Sequence, residues 1–544
     1  MLLDYNPRTL AYFLRVNRGE HDIRVLMRDH GLDLSLPAST AQEAVLLSHN
    51  PYAAAAFAGY ATPRARAEMG HMLSEIEASW APTSNAHIKV PYDKELWPFQ
   101  KADIEYALRR PHTLVGDQPG LGKTPIAIAL ANEIGAKRVL CIVPASIRLQ
   151  WVARIREWTT MRWPYVIHPI THSRHGVNPN AQWTVVSYEL ARTEAIGRAL
   201  AKLDYDLLII DEAHYLKTVD ATRTRAVFGG GTKLTFEPLA SKAKMVLALT
   251  GTPLPNRPRE AYTLARNLCW DSIDWMSEDA FVTRFNPAIR GERIDPVTGQ
   301  VKVYTDERTG RHAELQARLR SHFMTRHLKR DVMPQLKLPV YDVVTLEETA
   351  AVKEALNAES LLHIDPENYD EHIDLFGGEI ATIRRMMGEA LAPQIADYVD
   401  MLIDGGEEKL VVFAWHLSVM TELERRWQKH GVLRVDGGTS AVKKDRLVKK
   451  FQSDPRCKII LGNLLSLGTG TDGLQHVCTH ALIAEPDWVP GNNIQAFDRL
   501  DRGGQTRQVQ GDIFVAPGSI LEKILGSALR KLQVTDKALD RRIK

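Results

Sequence analysis

The chain has 544 residues, of which 44% are hydrophobic and 25% charged, and its formal net charge is +3 at pH 7; this predicts a globular, soluble protein of roughly two to four domains. The small net charge excludes a globally basic surface, so any grip on nucleic acid must come from local grooves. No run of about 18 apolar residues suggests a membrane span, the N-terminus lacks a signal-peptide layout, and Cys141, Cys269, Cys457 and Cys478 form no CxxC pair, so neither zinc nor a disulfide framework is expected and a cytoplasmic location is the default.

Residues 1–91 carry no recognisable motif. "NPYAAAAFAGYATPRARAEMGHMLSEIEASW" reads as helix, proline break, helix, and "APTSNAHIKVP" as a linker, which together predict a small accessory domain. From residue 92 short apolar runs alternate with helical stretches: "HTLVGD", "RVLCIVPA", "WTVVSYEL", "YDLLIIDEAH", "MVLALTGTP". Continuous apolar runs separated by helices predict a parallel sheet covered on both faces. Residues 255–330 read as a helical protrusion holding a turn-rich hairpin candidate, "RGERIDPVTGQVKVYTDERTG". After a helical stretch over 346–405 the alternation returns in "KLVVFAWH", "GVLRVDGG", "CKIILGN", "THALIAEPD" and "GDIFVAP", and the chain closes in a helix with a basic end. The fold class is therefore α/β: one parallel-sheet lobe over 92–345 and a second over 346–544.

Three stretches carry chemistry. "GDQPGLGKT" (116–124) follows an apolar strand and precedes a helix, which is the context of a phosphate-binding loop. Backbone N–H groups of Gly120, Leu121, Gly122 and Lys123 can face phosphate oxygens, assisted by the helix dipole. Lys123 can reach the β/γ-phosphates, and the Thr124 hydroxyl can ligate Mg²⁺. "DLLIIDEAH" (206–214) delivers two acids at the end of a buried strand: Asp211 to hold Mg²⁺ and Glu212 to polarise the attacking water. In "QAFDRLDRGGQ" (495–505), Arg499 and Arg502 are three apart and would share a helix face, where two guanidiniums can stabilise charge on a γ-phosphate. Each stretch also has a plainer reading, as a capped turn, a helix start or a solvated charged face.

The order of these elements, with "LTGTPLPNRP" (249–258) between them, resembles a helicase superfamily two motor, and more narrowly the Swi/Snf family of DNA-dependent ATPases. "DQPGLGKT" resembles that family's Asp-Glu-x-Gly-Leu-Gly-Lys-Thr, including Asp117 where other phosphate loops carry glycine. "LWPFQ" (96–100) resembles the upstream glutamine motif and implies Gln100 near adenine. "VPASIRLQWVARIREW" (143–158) resembles a strand-contacting motif. The resemblance implies DNA contacts at Pro144 and Ser146 and, in "WTVVSYEL", at Ser187 and Tyr188. "LRSHFMTRHLKRDVMPQLKLP" (319–339) resembles the Arg-x-x-Lys-x-x-Val segment that precedes the second lobe. "NRPREAYTL" and "WVPGNNIQA" look most like the distant branch of annealing helicases and phage or bacterial proteins. Two departures stand out: "LLSLGTGTDGLQHVC" (464–478) matches loosely, and Gly503 replaces the usual isoleucine.

The resemblance implies two RecA-like lobes with ATP and Mg²⁺ between them, moving along duplex or forked DNA in replication, recombination or repair, with no membrane partner. A strand-separating DEAH helicase on DNA or RNA, a nucleotide-bound clamp that does not cycle, and a nuclease subunit are the competing readings.

Overall fold

The computed structural model describes the chain except Leu10, Gly31, residues 36–37, Trp163, and residues 231–233, 288, 295–300, 307–310, 362–368, 469–470 and 541–544. Among the described residues no helix is long and apolar enough to cross a membrane.

The first unit is a four-stranded antiparallel sheet in the order β1 (Leu2–Asn6), β2 (Ala11–Asn17), β4 (Glu43–Ser48), β3 (Asp33–Leu34). The helix, proline break, helix reading of 50–80 matches the helices Pro51–Ala55 and Pro63–Ala78; the sheet lies earlier, where the sequence reading places no element, and its strands alternate buried with more exposed side chains. Its core of Leu3, Tyr12, Leu14, Val16 and Leu46 is closed by Ala65, Met69 and Met72 of the helix Pro63–Ala78. That helix starts where Thr62 accepts a hydrogen bond from the Ala65 N–H (3.2 Å), with Pro63 following. The unit docks on its neighbour through Arg284 and Asp33 (3.1 Å), and the Arg320 guanidinium stacks 3.2 Å from the Trp80 ring centre.

The second unit is a seven-stranded parallel sheet. Its strands are β5 (His112–Val115), β6 (Val139–Val143), β7 (Ile167–Ile170), β8 (Trp183–Ser187), β9 (Tyr205–Asp211), β10 (Ala243–Leu249) and, after a hairpin of β11 (Ile289–Ile294) and β12 (Val301–Asp306), β13 (Met324–Thr325). The spatial order is β13-β5-β10-β9-β6-β8-β7, all parallel. All carboxyl ends therefore meet at one edge, where open α/β sheets bind ligands. The helix Lys123–Glu133 is apolar on every side and is buried from Ile126 to Ala131.

The third unit is a six-stranded parallel sheet of β14 (Val340–Thr345), β15 (Leu410–Ala414), β16 (Val432–Val435), β17 (Ile459–Asn463), β18 (His480–Ile483) and β19 (Gln510–Val515), in the order β14-β19-β18-β15-β17-β16. The lobe boundary expected at 345/346 is thus corrected. Val340–Thr345 pairs with β19 and belongs to the second lobe; as a mostly exposed edge strand it lacks the continuous apolar run that marks the others. The final helix, Ile520–Leu539, starts in this lobe and returns to the first, where Leu539 joins the apolar core and Asp540 pairs with Arg326 (2.6 Å).

Within the third unit, His480 Nε2 lies 2.8 Å from Asp512 Oδ2. Burial opposes the charged ring, but Asp512 and Glu407 outweigh it and raise its pKa from 6.5 to about 9. A raised folded value gives stability that is full below about 6.5 and lost as pH rises through about 9. His480→Gln is expected to cost about 3 kcal/mol at pH 6 and much less at pH 10, read from denaturant midpoints. Equal losses at both values would show that the ring carries no charge.

Candidate active site between the two lobes

β5 ends at Val115, and the chain turns through 116–122 into the helix Lys123–Glu133. Gly120 (φ 88°) and Gly122 (φ 78°) are both left-handed, a conformation open to glycine without steric cost. Space demands glycine as well: a Cβ on Gly120 would lie 2.7 Å from Arg502 Cβ, and one on Gly122 2.5 Å from Gln100 Nε2. The leading N–H groups of the helix have no intrahelical acceptor and carry the positive end of its dipole. Lys123 Nζ donates to the carbonyls of Asp117 (2.7 Å) and Gln118 (3.3 Å). Burial lowers the Lys123 pKa, and Glu212, Asp117 and Asp211 only partly restore it. The Leu121 side chain anchors the loop from below, buried against Phe99 and Met333.

β9 brings Asp211 to the same edge, and the chain then turns sharply, with Glu212 at φ 51°. Asp211 is gripped from three sides. Trp151 Nε1 donates to its Oδ2 (2.7 Å), the Glu212 N–H to its Oδ1 (2.9 Å), and the Tyr188 hydroxyl to its carbonyl (2.6 Å). Burial and the adjacent Glu212 push the Asp211 carboxyl up to about 6. Burial would raise Glu212 too, but His214, Lys123 and Arg499 hold it below its ordinary value. Glu212 is therefore the stronger acid of the pair and the first to ionise. Its Oε2 is buried and hydrogen-bonds to nothing among the described residues, although His214 Nδ1 lies 3.2 Å away.

The second lobe closes over this edge. The helix Pro490–Phe497 ends before the arginines, so Arg499 and Arg502 do not share a helix face as expected; they sit in the turns that follow. They converge nonetheless, because Arg499 Nη1 and Arg502 Nη1 both donate to the Thr471 carbonyl (3.1 and 3.2 Å). Burial, with Arg502 alongside, lowers the Arg499 pKa to about 10, and the facing Glu212 opposes that shift. Such crowded cationic groups suit a polyanion. Gly503 packs by Trp97, where a Cβ would lie a tight 3.0 Å from the indole ring.

Other expectations need correction. Ser187 is buried and caps the Leu190 N–H (3.3 Å), and Tyr188, 2% exposed, is spent on the Asp211 carbonyl. Both side chains are engaged within the lobe: Tyr188 braces the acidic strand end, and Ser187 caps the short helix Tyr188–Ala191. Pro144 is buried and Ser146 half-buried at the entry to the helix Arg148–Trp158. Gln100 reaches the phosphate loop rather than an open base pocket. Its Nε2 donates to the Leu121 carbonyl (3.0 Å), and its Oε1 accepts from the Trp97 N–H (2.9 Å). The structure also adds residues that spacing did not reveal. Trp151 orients Asp211, and Lys329 from the first lobe pairs with Asp498 and with Asp501 (2.8 Å) of the second. "LKRDV" was the available signal for Lys329.

Removing the Lys329 charge with Lys329→Met leaves two buried carboxylates without their counter-ion. The expected cost to the closed arrangement is about 3–5 kcal/mol, read as a larger radius of gyration in solution scattering. An unchanged radius would show that this pair does not hold the lobes together.

The donor set fits a nucleoside triphosphate with a divalent cation: Lys123 and the helix N–H groups of one lobe and Arg499 of the other converge on the acids Asp211 and Glu212. A family model described as the SNF2-related domain matches residues 68–379. The chain is 30% identical over 463 residues to the DNA annealing helicase and endonuclease ZRANB3 of Bos taurus, covering 82% of this chain and 41% of that protein. It is 29% identical over 460 residues to the Homo sapiens protein of the same name, with 82% and 41% covered. Similarity to the SWI/SNF-related matrix-associated actin-dependent regulator of chromatin subfamily A-like protein 1 of Xenopus laevis is 28% over 487 residues, with 86% and 46% covered. The chain thus spans less than half the length of these relatives. Among solved structures, the Sulfolobus solfataricus SWI2/SNF2 ATPase core in complex with dsDNA aligns at a TM-score of 0.39 and 17% identity, covering 85% of this chain and 100% of that one.

Proposed function

The chain belongs to the SNF2-related family, and from that premise we propose that it is an ATP-driven motor that moves along duplex or branched DNA. It hydrolyses ATP when engaged with DNA, and alternate closing and opening of the lobes advances it along the backbone. The observation that carries this reading is the meeting of Lys123 and Glu212 from one lobe with Arg499 and Arg502 from the other, close enough that Gly120 cannot carry a side chain. A site completed only by closure couples chemistry to lobe movement.

In this reading Gly120, Leu121, Gly122, Lys123 and Thr124 hold the phosphates, and Gln100 fixes the loop from behind. Thr124 and Asp211 would hold Mg²⁺, which when bound neutralises charge on the phosphates. Glu212, kept ionised, accepts the proton of the attacking water. Arg499 and Arg502 release the Thr471 carbonyl and turn to the developing charge. DNA contact falls to the entry of the helix Arg148–Trp158 at Pro144 and Ser146, with phosphate contacts that position without reading bases.

The likeness to proteins named annealing helicases supports forked or bubble DNA as the preferred substrate, rewound rather than opened, in replication, recombination or repair. A bacterial or phage-infected cytoplasm belongs to the same proposal and rests on the phrases "NRPREAYTL" and "WVPGNNIQA"; the relatives named above are animal proteins. Residues 1–91 form a docked accessory unit and linker in this reading.

The test is ATP hydrolysis with no nucleic acid, single strand, duplex, forked DNA and RNA. Stimulation by duplex or forked DNA, falling steeply with salt, is expected. Stimulation by RNA alone would favour a DEAH-type RNA helicase instead.

A further inference from the structure

Three segments meet behind the phosphate loop, one of them 210 residues along the chain from Asp117. Asp103 comes from the helix Pro98–Leu108, Asp117 from the loop itself and His327 from the stretch after β13. The two aspartates are 0% exposed and the histidine 3%. His327 Nδ1 lies 3.1 Å from Asp117 Oδ1 and 3.3 Å from Asp103 Oδ1, and His327 Nε2 lies 3.0 Å from the Ala81 carbonyl. A carbonyl only accepts, so Nε2 carries a proton. Nδ1 faces two carboxyl oxygens, so it carries one too, and the ring is an imidazolium.

One positive ring against two full carboxylates would leave a net negative charge in a dry site. Neither oxygen of Asp103 accepts a hydrogen bond among the described residues, whereas Asp117 Oδ1 accepts from the His327 backbone N–H; a buried carboxylate without donors is costly, so Asp103 is the member that holds a proton. Burial and the Asp117 charge push the Asp103 carboxyl up to about 7, while His327 helps keep Asp117 ionised.

The cluster is tied to the nucleotide site at each end. The His327 N–H donates to Asp117 Oδ1 (2.8 Å), the Gln118 N–H to the His327 carbonyl (3.1 Å) and the Lys329 N–H to Gln118 Oε1 (2.7 Å). The Asp117 carbonyl accepts from Lys123 Nζ. Two residues past His327, the Lys329 ammonium holds Asp498 and Asp501 of the second lobe.

We propose that Asp103, Asp117 and His327 are positioning residues that hold the phosphate loop in register with the lobe-bridging segment, and that loss of the Asp103 proton weakens the loop's hold on the nucleotide. This rests on the ATP reading of the site. The charged groups around the cluster are the acids Glu212 and Asp211, which face Lys123 of the loop helix, and Asp540, which pairs with Arg326 and lies 4.0 Å from Arg320, together with these three cations. When Asp103 ionises, its added negative charge opposes that of the cations, and phosphate affinity falls.

The test compares kcat and KM for ATP from pH 6 to 8.5 in the full chain and in Asp103→Asn, whose amide imitates the neutral carboxyl. The nucleotide's own ionisation is common to both and cancels in the ratio. Wild-type KM is expected to rise about fivefold relative to the variant as pH passes 7, with the kcat ratio unchanged. The same pH dependence in both proteins overturns the proposal, whereas a wild type that neither binds nor hydrolyses ATP overturns the reading of the site instead. Should the variant not fold, ¹⁵N-histidine spectra of the wild type, assigned with His327→Gln, decide the point. A doubly protonated His327 at pH 8 supports the cluster, and a singly protonated ring overturns it.

Discussion

Lys123→Ala is expected to abolish ATP turnover, lowering it by about 10²–10³ or more, and to weaken nucleotide binding at the same time. The ammonium is the one cationic side chain of the stretch 116–124, and in this structure it occupies itself with the Asp117 and Gln118 carbonyls. Those two bonds are local, so their loss should leave the fold intact. Burial lowers its pKa, and Glu212, Asp117 and Asp211 oppose that shift. Alanine removes that charge and leaves the loop glycines in place, so binding and turnover should fall together. Glu212→Gln separates the two effects: shape and the Asp211 contacts survive, and only the proton acceptor is lost. That variant should bind ATP and stall. Turnover by Lys123→Ala at the wild-type rate would mean that the loop holds no phosphate during the reaction.

Arg499→Ala and Arg502→Ala are expected to spare ATP binding far more than turnover. Guanidiniums that reach a transferring phosphoryl group across an interface are worth on the order of 10³–10⁵ in rate. The geometry asks for such a role. Both arginines point at one carbonyl, Thr471, at 3.1 and 3.2 Å, an arrangement that leaves like charges crowded. Arg502 also lies 3.3 Å from Asp472, which in turn pairs with Arg154 of the first lobe (2.9 Å). A polyanion between the lobes relieves the crowding, and its effect is largest where negative charge is largest. Losses under about tenfold in both variants would mean that the second lobe does not complete the site.

Much of the architecture is legible in the linear chain because the sheet strands are buried on both faces. Runs such as "DLLIID" and "KIILGN" need no partner to be recognised. The phosphate loop and the acidic strand end are legible for a related reason: glycine, lysine and paired acids at strand ends have few other uses. What escapes has identifiable causes. Val340–Thr345 is an edge strand with exposed side chains, so its alternation is weak. Helical spacing suggested a shared face for Arg499 and Arg502, but the helix stops at Phe497 and turns bring the two together by another route. The resemblance implies a DNA contact at Tyr188, whereas its hydroxyl donates to the Asp211 carbonyl. Asp103 and His327 carry no signal at all in the linear chain, since nothing in either neighbourhood indicates that they meet at Asp117.

The central claim, ATP-driven movement along duplex DNA without strand separation, is tested most directly by displacement of a third strand from a triplex carried on a longer duplex. The wild-type protein with ATP should release the third strand and leave the underlying duplex annealed, while Glu212→Gln should release nothing. Separation of the duplex strands, or release that proceeds without ATP hydrolysis, would contradict the account.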